Sequence, residues 1–144
     1  MNRVKDFFLK VNFKADTRYL TLINSLTLDF CLLSGFSEEQ GKNVSLAVDE
    51  AVTNTIKHAY HFDSSKDVEV FLNFDGRKLV IKVYHTGVPL SPDNLVFPDM
   101  KEYLERYKKG GLGILLMIKF MDSVEYGKEK GKHFCKLVKE IEQA

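Results

Sequence analysis

Apolar and polar residues alternate through Phe7–Phe13 (FFLKVNF), which predicts a strand with Phe7 or Phe8 turned towards a core. The period then lengthens. Leu20, Ile23, Leu26 or Thr27, Phe30 and Leu33 recur at helical spacing, so a helix is expected from Thr17 to about Ser34, capped by Asp16 and stopped by Gly35. Ser37 and Gln40 make an S-x-x-Q capping box that opens a second helix, running out near Tyr60. Along it Val44, Ala47, Val48, Ala51 and Thr55 form a mostly apolar stripe suited to packing on a sheet. HFDSSKD is a polar turn, after which Val68–Phe74 and Lys78–Tyr84 alternate as strands around Asp75-Gly76, a tight-hairpin dipeptide.

Between 85 and 109 the periodicity fails. All three prolines (Pro89, Pro92 and Pro98) fall here, which leaves room only for a short helix over Asp99–Tyr107. An irregular segment of this length inside a compact domain reads as a lid. Gly110-Gly111-Leu112-Gly113 then opens an apolar helix, Ile114–Met121, followed by strands Ser123–Tyr126 and Lys132–Lys139 with a turn through Gly127–Gly131. Strand, two helices, hairpin, lid, helix, hairpin is not the alternation of a doubly wound parallel sheet. It predicts an α/β (α+β) two-layer sandwich, with a mixed, mostly antiparallel sheet and helices on one face.

At 144 residues a single domain, 1–144, with its lid at about 85–109, is expected. The net charge of +1 gives no global field to recruit nucleic acid or an acidic membrane, so any ligand site is local. No apolar run approaches the roughly 20 residues that span a bilayer. The opening MNRVKDFFLKVNFKAD has charges inside its apolar run and no small-residue cleavage site, which argues against a signal peptide and for a cytoplasmic protein. Cys31 and Cys135 read as reduced core residues, and the four histidines (58, 61, 85 and 133) show no metal-ligand spacing.

The candidate chemistry lies on the second helix. Residues four apart share a helix face, so Glu50, Asn54 and His58 form a polar stripe opposite the apolar one. A solvated face is the plainer reading, but the distant glycine cluster shifts the balance. Glycines at a loop-to-helix junction let the backbone approach an anion, while the helix start supplies N–H groups and a positive dipole end. Lys108 and Lys109 add positive charge there, although a tight turn would need glycine for its backbone alone. Asn54 offers a hard oxygen suited to Mg²⁺, and Glu50 is placed to orient or deprotonate a hydroxyl or water attacking a γ-phosphate. His58 joins this site or merely caps and packs.

Glu50-Ala51-Val52-Thr53-Asn54 with His58-Ala59-Tyr60 resembles the N-box of the GHKL ATPases, and most of all that of the anti-sigma-factor serine/threonine kinases. Gly110–Gly113 is similar to their second glycine box, and LLMIKFMDSVEY continues their pattern into D-x-V-x-Y. GKEKGKHFCKLVK resembles their closing strand without its usual asparagine. The resemblance runs from about Phe7 to Lys139. It implies a Bergerat fold, ATP and Mg²⁺ as ligands, Glu50 as general base and Asn54 as the residue holding Mg²⁺. It further implies contacts to the nucleotide from His58, His85, Gly87, Lys109, Gly110, Gly111, Leu112 and Gly113. Typical members form homodimers, bind a sigma factor and phosphorylate a STAS-type antagonist, which regulates transcription by partner switching.

One position departs from the pattern. The first glycine box reads His85-Thr86-Gly87-Val88-Pro89 where the family has an aspartate that accepts from the adenine amine. An imidazole offers one acceptor at most, whereas a carboxylate only accepts. An unpaired adenine amine would cost about 1–3 kcal/mol, or ten- to a hundredfold in affinity, unless a suitable tautomer recovers part of it. The plainer reading makes His85 a tolerated surface residue. A regulatory module that keeps the fold but has weakened catalysis, docking to a sigma factor, STAS protein or phosphatase, is therefore the alternative to an active kinase. A histidine-kinase fragment fits less well, since no dimerisation helix with a phosphoacceptor histidine is evident.

Overall fold

The computed structural model describes residues 6–90 and 113–142. A five-stranded sheet runs in the order β1-β2-β3-β5-β4, from β1 (Phe7–Lys14), β2 (Asp67–Phe74), β3 (Lys78–His85), β4 (Ser123–Glu129) and β5 (Lys132–Glu140). Every pairing is antiparallel. Helices α1 (Leu20–Ser34), α2 (Glu38–Asn54) and α3 (Gly113–Phe120) cover one face, with α2 packed against both α1 and α3. This is the two-layer α+β sandwich the element order predicts.

Phe7, not the 63% exposed Phe8, faces the helices, stacking on Phe30 at 4.8 Å and on Phe74 at 6.0 Å. Asp16 caps as expected, accepting from the Arg18 N–H at 2.9 Å, but the turn it caps is a 3₁₀ turn, Thr17–Tyr19, that leads into α1. Gly35, at φ +101°, closes α1 with Schellman bonds from its own N–H to the Leu32 carbonyl and from the Phe36 N–H to that of Cys31. The buried stripe of α1 is Ile23, Thr27, Phe30, Cys31 and Ser34. Leu33 is off that phase and 72% exposed; Ser34 takes the inward position because its hydroxyl donates to the Phe30 carbonyl.

On α2 the capping box forms in both directions, and all five residues of the predicted apolar stripe are buried. The β2–β3 hairpin turns at Gly76 (φ +92°), with the Asp75 carboxylate accepting from the Arg77 and Lys78 N–H groups. The last hairpin differs from expectation. β4 continues to Glu129 and reverses at Lys130-Gly131, both at positive φ, instead of turning from Gly127 onwards. Gly127 belongs to the strand because the Phe134 ring lies where its side chain would be.

Candidate functional site

Glu50 and Asn54 sit half-buried one turn apart on α2. The helix then widens into a π-helical turn, Thr55–Ala59, closed by the Tyr60 N–H on the Thr55 carbonyl. Thr55 donates to the Ala51 carbonyl at 2.9 Å where the geometry changes. His58 falls within this turn and is exposed, whereas Glu50 and Asn54 on the regular helix are half-buried. The predicted stripe thus starts on the regular helix with Glu50 and Asn54 and ends on the π-helical turn with His58.

The end of β3 is fastened to this turn. The Val88 N–H donates to the Ala59 carbonyl at 2.9 Å, and the Thr86 N–H donates to the Tyr60 hydroxyl at 2.8 Å. That hydroxyl donates in turn to the Asp67 carbonyl at 2.6 Å, tying α2, β2 and β3 together. Gly87 lies against Ala59 so closely that a Cβ would overlap the Ala59 carbonyl and the Tyr60 ring. Glycine at this position is therefore required by packing. Gly87→Ala is expected to cost roughly 1–3 kcal/mol of stability, read as a lowered urea midpoint. A variant as stable as the wild type would refute this account of the contact.

His85 is buried, at 3% exposure, which rules out the surface reading. Its ring packs edge-on to Tyr60 at 5.8 Å and tilted against His133 at 5.5 Å, its register partner on β5. Burial, and secondarily His133, push its pKa down to about 4, so the ring is neutral at pH 7. Its Nδ1 accepts from the Gly87 N–H at 3.2 Å, which leaves the ring proton on Nε2. The one acceptor nitrogen is thus already engaged.

Glu50 has its pKa raised, first by burial and then by the neighbouring Asp49 carboxylate, against the opposing pull of Lys57. A desolvated carboxylate displaced towards neutrality is what proton abstraction near pH 7 needs. No group of three or more histidine, cysteine or acidic side chains poised for a metal occurs among the described residues. The single carboxamide of Asn54 fits Mg²⁺, which keeps several waters and shares substrate phosphates, better than an ion that needs a protein cage. Gly113 begins α3, which packs on α2. Lys109, Gly110, Gly111 and Leu112, the predicted Asp99–Tyr107 helix and the lid beyond residue 90 lie outside the described residues.

Sequence reasoning missed Tyr60 as the organiser of this corner, and nothing in the local pattern marks it. The inward position of His85 was legible. The alternation that buries Leu79, Ile81 and Val83 continues to residue 85.

Comparison with known proteins bears on the same residues. The profile of the histidine kinase-like ATPase domain matches residues 13–138. The serine-protein kinase RsbW of Bacillus cereus is 29% identical over 135 residues, covering 91% of this chain and 82% of the kinase. The RsbW of Bacillus anthracis matches over the same lengths. Among solved structures, the RsbU and RsbW domains of a Mycobacterium tuberculosis protein superpose with a TM-score of 0.65 at 13% identity. That match spans 92% of this chain and 32% of the other. The SiaB–SiaC complex of Pseudomonas aeruginosa gives 0.61 at 15% identity, over 92% of this chain and 88% of the other. At these identities the two structures speak for the fold. No helix among the described residues is long and apolar enough to cross a membrane.

Proposed function

The chain belongs to the histidine kinase-like ATPase family, and from that premise we propose that it is an ATP-dependent serine/threonine-protein kinase of partner-switching type. Its acceptor would be a hydroxyl on a STAS-type antagonist and its second partner a sigma factor, with the kinase working as a homodimer. The observation that carries this reading is the pairing of a desolvated Glu50 with Asn54, one turn apart, on a helix fastened at its end to the first glycine box. Relatives named as serine-protein kinases support the reaction class.

In this reading the Asn54 carboxamide oxygen would hold Mg²⁺, which would offset charge on the phosphates of the ATP that donates the phosphoryl group. The Glu50 carboxylate would accept the proton of the acceptor hydroxyl while the hydroxyl oxygen bonds to the γ-phosphorus and the bond from that phosphorus to the bridging oxygen breaks, releasing ADP. Gly113 at the start of α3, with Lys109, Gly110, Gly111 and Leu112 before it, would face the phosphates, where helix-start N–H groups offset their charge. His58, exposed on the π-helical turn, would contribute to the nucleotide site.

The engaged acceptor of His85 favours a second reading, a docking module with weakened catalysis. Calorimetric titration with ATP separates the two. The kinase reading expects binding that strengthens with Mg²⁺ and loses that dependence in Asn54→Ala. Absence of binding at millimolar nucleotide would overturn it in favour of the module.

A further inference from the structure

The three backbone N–H groups that follow His85 are all committed. Thr86 donates to the Tyr60 hydroxyl at 2.8 Å, Gly87 to Nδ1 of His85 at 3.2 Å and Val88 to the Ala59 carbonyl at 2.9 Å. A backbone N–H only donates, so Nδ1 must accept and the ring proton sits on Nε2. Turning the ring over would set a carbon against Gly87 and orphan its N–H. The rings of Tyr60 and His133, at 5.8 and 5.5 Å, flank the imidazole. His85 therefore carries one fixed donor, and no hydrogen bond among the described residues uses it.

That donor lies in the same layer as the candidate site. Leu79, Ile81, Val83 and His85 alternate onto the buried side of β3, which faces the helices, and the Gly87–Ala59 contact fastens this corner to the end of α2. The acceptors around the corner are already engaged. The Tyr60 hydroxyl accepts from Thr86 and donates to the Asp67 carbonyl. The Asp67 side chain alternates to the other face of the sheet, where Lys14 holds it at 2.8 Å. The 6-position of a purine reads such an asymmetry directly. Adenine carries an amine there, which donates, whereas hypoxanthine and guanine carry a carbonyl, which accepts. Against a fixed N–H the carbonyl gains a hydrogen bond and the amine meets a second donor.

We propose that the base site of this chain takes a 6-oxopurine nucleoside triphosphate in preference to ATP, with the Nε2–H of His85 determining the choice. This deepens the kinase reading above and rests on it for the place of residue 85 at the base; the roles of Glu50 and Asn54 are the same for either purine. The test is calorimetric titration of the full chain with ATP and with ITP, both with Mg²⁺. ITP differs from ATP only at the 6-position and the adjoining N1, so the pair isolates this contact. Wild type is expected to bind ITP at least about tenfold more tightly than ATP. His85→Asp reverses the order, because a carboxylate accepts from the amine and repels the carbonyl. His85→Asn, whose carboxamide can turn either its oxygen or its NH₂ to the base, brings the two affinities within about threefold. His133→Phe keeps the neighbouring ring, removes its nitrogens and leaves the wild-type preference in place. A wild type that binds ATP as tightly as ITP overturns the proposal and leaves the kinase reading standing. A preference that persists in His85→Asn, or vanishes in His133→Phe, overturns the assignment to His85. Binding of neither nucleotide at millimolar concentration overturns the kinase reading and the proposal with it.

Discussion

Glu50→Gln is expected to lower phosphotransfer by about 10²–10⁴-fold while nucleotide affinity changes little. The reason lies in what the side chain endures. Its folded pKa is raised above the ordinary 4.5, mostly by burial. The folded state therefore holds that proton more tightly than the unfolded chain does, and the ionised form costs stability at every pH above the unfolded value. Glutamine has the same shape and no charge to desolvate, so the variant should melt at the same temperature as wild type or slightly higher. Loss of transfer without loss of stability distinguishes a base from a structural residue. The pH profile adds a second sign. Wild-type activity should rise with pH through the elevated Glu50 pKa, and that acidic limb should vanish from any residual activity of the variant. Full transfer by Glu50→Gln would remove this residue from the chemistry.

The pattern along the chain revealed most of what packing decides and less of what hydrogen bonding decides. The apolar stripe of α2 was legible because five residues repeat at one period and all face one sheet. On α1 the period was visible but its phase was not, since leucines lie all around the helix and a serine can turn inward by bonding its own backbone. The final turn was drawn too long because Gly127 reads as a turn residue and Lys130 takes positive φ without being asparagine, aspartate or glycine. The π-helical turn left no trace in TIKHA, so the stripe read as regular helix as far as His58. Glu50 and Asn54 remain neighbours because they lie before the change in winding. Gly87 was read for its nearness to a ligand, and the closeness of Ala59 and Tyr60 gives its missing side chain a packing reason as well.

His85→Asp should tighten ATP binding by ten- to a hundredfold, the gain worth about 1–3 kcal/mol of one recovered hydrogen bond. The resemblance to the GHKL ATPases puts an acceptor for the adenine amine at this position. The histidine cannot serve, because Nδ1 already accepts from Gly87 and Nε2 carries the proton. Two donors would then face each other. Protonation offers no escape, since the ring would gain a second donor and its pKa is pushed down to about 4. Nor does the other tautomer, which frees Nε2 to accept only by turning a ring proton onto the Gly87 N–H. An aspartate, with two oxygens, can take the Gly87 N–H on one and the amine on the other. Titration of the variant and the wild type with ATP and with a 6-oxopurine nucleotide separates the causes. Improvement for ATP alone identifies the lost acceptor. Equal improvement for both would mean that the substitution reshapes the pocket, and unchanged affinity would show that His85 does not address the base.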